Sequence, residues 1–307
     1  MNPISIDQFC DATRSWLAAG HHENVAGHQM FVHRRDPAAA NSAGEPATVL
    51  LIHGFPTSCY DWRGVVDHLA ARVRAIAPDL LGFGLSDKPA AYSYSLFQQA
   101  DSIEELLSRL QVRAAHVVSH DLGTSLHSEL LARQAEGRLG FELQSSTFLN
   151  GSMLQWLAKI TPFQELLAAN ATLPRAIEIC RTQFSSAYVP ALQKLMRRPE
   201  AITPTDEQVM NDLLRYQDGH LRLPALAGYM RERYVHADRW LGAIEAARSR
   251  VQIVWADGDP IAHLEMGREL ARRCPRARYH ELAGLGHFLL MEDPPAVAKK
   301  IQEFVCA

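Results

Sequence analysis

The sequence predicts an α/β fold, in which a mostly parallel central sheet carries an inserted helical cap. Apolar runs that end in loop residues recur at 47–54, 73–82 and 114–123. Continuous runs of this length are typical of strands buried on both faces of a parallel sheet. Helical patterns lie between the runs, most clearly in DSIEELLSRL at 101–110. The stretch 152–244 then shows only leucine-rich helical patterns broken by prolines.

The remaining elements complete this architecture in chain order. Weak alternation at 23–34 predicts an opening strand or hairpin, and Gly137 is expected to end the helix that follows the third apolar run. A strand at 145–151 precedes the helical stretch, and strands resume after it, so the helices are expected to lie over the carboxyl ends of the strands. The predicted organisation is a core in two parts, 1–151 and 245–307, with a cap at 152–244. The elements predicted in the second part of the core are a strand at 250–260, a helix at 267–275, a strand and loop at 277–288, and a helix at 295–305.

Composition and charge restrict the class of partner. Apolar residues make up 47% and charged residues 21% of the chain, and the formal net charge is -3 with no long block of one sign. This balance does not indicate binding to nucleic acid or to an anionic membrane surface. No segment approaches the ~20 apolar residues of a membrane span. We expect a small, mostly apolar and neutral substrate, and a monomer or homodimer.

Neither a metal nor a cofactor is predicted. The five cysteines are scattered without C-x-x-C spacing, which favours free thiols in a reducing, cytoplasmic location. The spacing of His21, His22, His28 and His33 matches no metal motif, so these residues are interpreted as part of a polar hairpin. The segment GFGLSD at 82–87 lacks the third glycine of a dinucleotide fingerprint.

Three loops that follow strands carry reactive side chains in the order Asp121, Asp259, His287. Each has a structural alternative: Asp121 could cap a helix, Asp259 could begin a turn, and His287 could serve close backbone packing among glycines. Together, the order nucleophile, acid, histidine is that of the α/β-hydrolase triad, with aspartate where G-x-S-x-G has serine. The combination therefore predicts a catalytic triad.

The segment HGFPTS at 53–58 independently supports this hypothesis. It ends an early strand, where this fold supplies one backbone N–H of an oxyanion hole. Phe55 is predicted as that donor, and Leu122, the residue after the nucleophile, as the other. His53 is interpreted as a structural or loop-fixing residue, because His287 has the better context for catalysis.

The chain resembles the aspartate-nucleophile branch of the α/β-hydrolases, which contains epoxide hydrolases and haloalkane dehalogenases. The resemblance extends over nearly the whole chain and is carried by HGFPTSCYDW, APDLLGFGLSDKP, SHDLG, WADGDP and GHFLLMEDP. HGFPTSCYDW, LLGFGLSDKP and SHDLG also resemble the mesoderm-specific transcript proteins. The resemblance implies that Asp121 attacks a saturated carbon, and that water activated by His287, oriented by Asp259, hydrolyses the resulting ester.

The choice of leaving group rests on the residues around the triad. Haloalkane dehalogenases bind halide through side-chain donors, and fluoroacetate dehalogenases bind the substrate carboxylate through an Arg after the nucleophile. Phe55 and Leu122 supply neither kind of side chain. Epoxide hydrolases use cap tyrosines, and GYMRERYVHADRW at 228–240 resembles their late-cap region. This implies Tyr229 as the proton donor, with Tyr234 as its substitute. The region where the resemblance places a first cap tyrosine offers only Tyr188, so Tyr234 and Tyr188 are the substrate-binding candidates. We predict an epoxide hydrolase; the alternatives are a haloalkane dehalogenase with the same triad, or a non-catalytic ligand-binding relative.

Overall fold

The computed structural model describes residues 4–37, 46–69, 72–169, 173–182 and 184–307, with side chains described at all of these except 184–186. Its centre is a sheet of eight strands in the order β1-β2-β4-β3-β5-β6-β7-β8. The strands are β1 His21–Val25, β2 His28–Arg35, β3 Thr48–Ile52, β4 Arg74–Pro78, β5 Ala114–His120, β6 Glu142–Leu149, β7 Arg250–Ala256 and β8 Arg278–Leu282.

Strands β3 to β8 run parallel to one another, and the first hairpin supplies the antiparallel edge. Strand β1 pairs antiparallel with β2, and β2 pairs antiparallel with β4. The hairpin turns at Ala26 and Gly27, both with positive φ, the geometry that two-residue turns between twisted strands require. The mostly parallel sheet predicted from the buried apolar runs is confirmed.

Fourteen α-helices can be named among the described residues. In the core they are α1 Asp11–Ala18, α2 Arg63–Leu69, α3 Leu96–Arg109, α4 Leu122–Ala135, α12 Leu264–Arg273, α13 Leu289–Glu292 and α14 Pro294–Val305. Between β6 and β7 they are α5 Pro162–Ala168, α6 Leu173–Thr182, α7 Phe184–Gln193, α8 Pro204–Arg215, α9 Leu223–Leu226, α10 Tyr229–Val235 and α11 Ala237–Glu245.

The core helices cover the sheet on its faces. Helix α14 packs against α2, while α3 and α11 pack against α4. All five residues of β3 are consequently buried. This burial explains why the central strands are continuous apolar runs instead of alternating patterns.

Most predicted elements agree with the structure to within a few residues. The helix that follows the third apolar run begins at Leu122, directly after Asp121, and ends at Ala135, two residues before Gly137. The predicted domain boundaries stay predictions. Within the described part of 152–244, no residue belongs to a strand of the sheet.

Two features of the fold bear on where ligands can bind. The carboxyl ends of β3, β5, β6, β7 and β8 lie side by side at one edge of the sheet. Phe55 follows β3, Asp121 follows β5, Asp259 follows β7 and His287 follows β8. Among the described residues, no helix combines the length and the apolar character that crossing a bilayer requires.

Candidate active site

The turn between β5 and α4 holds Asp121 in a conformation that non-glycine residues rarely adopt, with φ 48° and ψ −113°. Such strain costs about 1–3 kcal/mol and persists only where the surroundings enforce it. Two glycines make the turn possible. A Cβ on Gly123 would lie 2.7 Å from the carbonyl oxygens of Ile52 and His53, and one on Gly54 would lie 2.7 Å from Cβ of Asp121. Helix α4 can therefore start directly against β3.

The Asp121 carboxylate is buried, and its two oxygens have different surroundings. Oδ1 accepts a hydrogen bond of 2.8 Å from the backbone N–H of Phe55. Oδ2 lies 3.8 Å from Nε2 of His287. Leu122, the second predicted backbone donor, opens α4 immediately after the turn. The predicted nucleophile, histidine and Phe55 donor are thus brought together.

His287 and Asp259 form a close pair behind the Asp121 carboxylate. Nδ1 of His287 lies 2.7 Å from Oδ2 of Asp259, and because a carboxylate only accepts, the ring donates here and leaves the Nε2 lone pair facing Asp121. Oδ1 of Asp259 accepts from the N–H groups of Ile261 and Ala262 at 2.8 and 2.9 Å. These bonds hold Asp259 in one orientation.

Electrostatic interactions shift both pKa values toward the ion pair. Burial lowers the pKa of His287, but the charges of Asp259 and Asp121 and the hydrogen bond to Asp259 more than offset burial, so the pKa lies above its usual value. Burial opposes ionisation of Asp259, yet the charge and hydrogen bonds of His287 and Asn150 lower its pKa. Asp259 therefore stays ionised across the neutral range.

Asn150 is a site residue that the sequence reasoning missed. It follows β6, with φ 40°, and its Nδ2 donates to Oδ2 of Asp259 at 2.7 Å. Its Oδ1 accepts from the N–H of Ala256 at 2.9 Å. The signal was present: like Asp121, Asn150 is a polar side chain directly after a buried strand.

Of the three cap tyrosines, two share a cavity with Asp121. Tyr229 is 2% exposed and Tyr234 is 63% exposed, and both line the small cavity that also contacts Asp121. Burial and the charge of Asp121 raise the pKa of Tyr229, so its phenol stays protonated. Tyr188 lies elsewhere: its hydroxyl donates to the carbonyl of Pro56 at 3.3 Å, and it lines a neighbouring cavity that does not contact Asp121.

Two further histidines near the triad are held by backbone groups. Nδ1 of His53 donates to the carbonyl of Gly54 at 2.8 Å, and Nε2 accepts from the N–H of Leu80 at 3.1 Å. His120 contacts the carbonyl of His287 through Nε2 at 2.9 Å, and burial lowers its pKa to about 4. Both rings are neutral at physiological pH, and His53 has the loop-fixing contacts expected of it.

Asp61 is a second residue that the sequence reasoning passed over, although it lies in the conspicuous run HGFPTSCYDW. Its side chain is fully buried and accepts from the hydroxyl of Thr57. Burial raises its pKa to about 7. It lines the same cavity as Tyr188 and the buried Lys88, whose pKa burial lowers to about 7.

Within the described part of the chain, no cluster of three His, Cys, Asp or Glu side chains is arranged to hold a metal ion.

Comparison with known proteins agrees with this geometry. The family described as alpha/beta hydrolase fold matches residues 47–294. The chain is 35% identical to the LipZ protein of Mycobacterium tuberculosis, over 94% of this chain and 96% of that protein. It is 30% identical to the mesoderm-specific transcript protein of Mus musculus, over 97% of this chain and 89% of that protein.

A solved structure shows the same fold. The ligand-free epoxide hydrolase CorEH superposes with a TM-score of 0.71 at 19% identity, covering 94% of this chain and 98% of its own. At this identity the likeness concerns the fold alone, whereas the family match covers most of the sequence. The chain therefore belongs to the alpha/beta hydrolase family.

Proposed function

We propose that this hydrolase opens an epoxide to a vicinal diol through an ester formed on Asp121. The observation that carries the proposal is the surroundings of the Asp121 carboxylate at the strained turn. One oxygen is anchored by the Phe55 N–H at 2.8 Å, and the other lies 3.8 Å from the imidazole that Asp259 orients. A carboxylate in this setting serves better as a nucleophile than as a helix cap, since its side chain makes no capping bond to α4.

In the first step, an oxygen of Asp121 bonds to an epoxide carbon while the ring C–O bond of that carbon breaks. The ring oxygen leaves as an alkoxide that must gain a proton. Tyr229 lines the same cavity and keeps its proton because its pKa is raised. We infer that Tyr229 donates the proton, and that the helices between β6 and β7 form the cap, 152–244, that supplies it.

In the second step, water attacks the ester carbonyl and gives its proton to Nε2 of His287. The backbone N–H of Phe55 already contacts an Asp121 oxygen and would stabilise the oxyanion, together with the N–H of Leu122. The tetrahedral intermediate then breaks its bond to the alkyl oxygen, and the proton on His287 returns to that oxygen. Asp121 emerges as a carboxylic acid, and its proton returns to the Tyr229 phenolate, so that diol, the free carboxylate and the protonated tyrosine result.

Esterification itself prepares His287 for the second step. The negative charge of Asp121 is one of the factors that raise the pKa of His287. An ester carries no charge, so this contribution disappears when the intermediate forms, and the pKa of His287 falls. The imidazole thus becomes a free base at the point in the cycle where a base is needed.

The lining of the cavity favours an epoxide over a haloalkane. A departing halide is stabilised by side-chain N–H donors such as those of Trp or Asn. Among the described residues that line the Asp121 cavity, neither Trp nor Asn occurs, and the side-chain N–H donors are those of Gln155, Gln164, Lys159 and Arg233. Two tyrosines supply the O–H donors that a departing epoxide oxygen needs. For location, we propose the cytoplasm, because Cys59, Cys180 and Cys274 are buried free thiols.

The covalent mechanism is tested by a single turnover in heavy-oxygen water with enzyme in excess over styrene oxide. We expect the first diol to contain only light oxygen, and the heavy label to appear in the Asp121 carboxylate by peptide mass analysis. Asp121→Asn should lose activity by about 10⁴-fold or more. Label in the diol with none at Asp121 would refute the mechanism. Parallel assays with bromoalkanes, followed by halide release, test the alternative leaving group.

A further inference from the structure

The cavity beside Asp121 contains a buried positive charge that the proposed mechanism does not use. Arg233 lies on α10 and is 6% exposed. Its Nε donates to the hydroxyl of Ser125 at 2.5 Å, and its Nη2 donates to the main-chain carbonyl of Asp121 at 3.0 Å. Its guanidinium lies 4.6 Å from the ring centroid of Tyr229. All three partners are uncharged groups.

The other buried or half-buried arginines of this region are neutralised by carboxylates. Arg133 pairs with Asp101, Glu104 and Glu129. Arg239 pairs with Glu129 and Glu136. Among the residues that the structure describes, no carboxylate forms an ion pair with Arg233. Because a buried charge is costly unless it is paired, the contrast calls for an anion that the protein itself does not supply.

The charges around the cavity point the same way. Arg233 and the exposed Lys159 line it together with Asp121 and Tyr229, and the uncharged polar side chains include Gln155 and Gln164. Asp121 is the only acidic residue among the described residues of its wall. A guanidinium has five N–H donors, and the two bonds named above leave donors for a carboxylate.

We propose that Arg233 determines specificity by binding the carboxylate of a short epoxy acid. The inference rests on the proposed epoxide hydrolysis and refines its substrate class, since the sequence alone indicated a neutral substrate. An anionic substrate would be repelled by the Asp121 carboxylate as it approached. Arg233, which contacts the main chain of that same residue, offsets the repulsion and orients the epoxide carbon toward the nucleophile.

The test compares two substrates of equal size, oxirane-2-carboxylate and oxirane-2-carboxamide. For the wild type, we expect kcat/KM to be about tenfold or more higher for the acid. Arg233→Gln should lower kcat/KM for the acid by about 30-fold or more and for the amide by much less, because only the acid needs the charge. Arg233→Lys should recover part of the preference. Arg231→Gln, an exposed position on the same helix, is the matched control and should keep the wild-type ratio.

A binding measurement separates this proposal from the reaction itself. Glycerate is the diol product of oxirane-2-carboxylate, and glyceramide is the diol product of the amide. Glycerate should raise the melting temperature of the wild type but not that of Arg233→Gln. Glyceramide should raise the melting temperature of neither protein. If glycerate binds through Arg233 but no epoxide is turned over, the proposed function is contradicted and the proposed anion site is still supported. Equal losses for acid and amide in Arg233→Gln, or no thermal shift with glycerate, would overturn the anion site and leave Arg233 as a positioning residue of the Asp121 turn.

Discussion

Oδ2 of Asp121 lies 3.8 Å from Nε2 of His287, while Nδ1 of the same ring lies 2.7 Å from Oδ2 of Asp259. The first distance is too long for a hydrogen bond and the second is that of a strong one. The imidazole is therefore bound to its orienting acid and not to the proposed nucleophile. Asp121 is left to react with a carbon, and the Nε2 lone pair is left to activate water once an ester has formed.

Asp259→Asn should shift the pH profile as well as lower the rate. His287 must be neutral to act as a base, and Asp259 raises its pKa, so wild-type activity should fall as pH drops through the pKa of His287. Removing the charge lowers that pKa, and the acid limb of kcat should move to lower pH. Loss of the favoured tautomer should reduce kcat by about 10⁴-fold. Rates of diol release measured across the neutral pH range test this prediction. An acid limb that stays at the same pH, or moves to higher pH, in Asp259→Asn would contradict it.

Asn150→Ala should weaken catalysis without abolishing it. The substitution removes the amide that donates to Asp259 at 2.7 Å and accepts from Ala256, but it leaves the two backbone donors to Asp259. We expect kcat to fall about 10- to 100-fold, as is usual when a supporting hydrogen bond is lost. Thr147→Ala on the same strand serves as the control. Activity equal to that of the wild type would show that Asn150 does not orient the acid.

Tyr229→Phe should slow alkylation of Asp121 and not hydrolysis of the ester. The phenol is the proposed proton donor to the departing oxygen, which only the first step needs. The single-turnover rate of epoxide consumption should fall by about 10²-fold. Tyr279→Phe, on β8, removes a hydroxyl that contacts Glu281 and should keep the wild-type rate. Accumulation of ester in Tyr229→Phe would contradict the assignment, because it would locate the defect in the second step.

Asp61→Asn should stabilise the protein at alkaline pH. Burial raises the pKa of Asp61 from 3.8 to about 7, so the folded state retains a proton that the unfolded state has released. The free energy of unfolding should therefore fall as pH rises from the unfolded-state pKa to the folded-state pKa of Asp61, and it should stay lowered by the full amount above the folded-state pKa. The gain from Asp61→Asn should thus be small near pH 4 and reach about 2–4 kcal/mol near pH 8. Urea unfolding near pH 4 and near pH 8 measures this gain in stability, and the exposed Asp67→Asn is the control. An equal gain from Asp61→Asn at both pH values would disprove the pKa shift.

Glu129→Gln should destabilise the contact between α4 and α11. Glu129 is fully buried and accepts from Arg133, Arg239 and the indole N–H of Trp240. Removing its charge leaves the arginines poorly compensated, which should cost about 3 kcal/mol. Glu136→Gln, at an exposed ion pair with Arg239, should cost less than about 1 kcal/mol. Urea unfolding of the two variants is the measurement, and similar losses would show that burial does not strengthen this network.

The triad illustrates how far local sequence reasoning extends into the site. Asp121, Asp259 and His287 each follow a strand of the parallel sheet, and parallel strands bring their carboxyl ends to one edge, so proximity could be predicted before any distance was known. Asn150 met the same criterion after β6 and could have been included. Tyr188 was chosen because it is the tyrosine in the region where the family resemblance places a first cap tyrosine, and its hydroxyl contacts the carbonyl of Pro56 instead.

The sequence by itself determined the sheet, the chain order of the candidate triad and the carboxylate at the strained turn, because strand burial and turn chemistry are written in neighbouring residues. Tertiary structure alone decided that Arg233 lies buried against the Asp121 main chain and that Asp61 is shielded from water. Both features depend on contacts between residues that are far apart in the chain. Their physical origin is the desolvation and pairing of charges, which depend on what other elements bring into contact and not on local pattern.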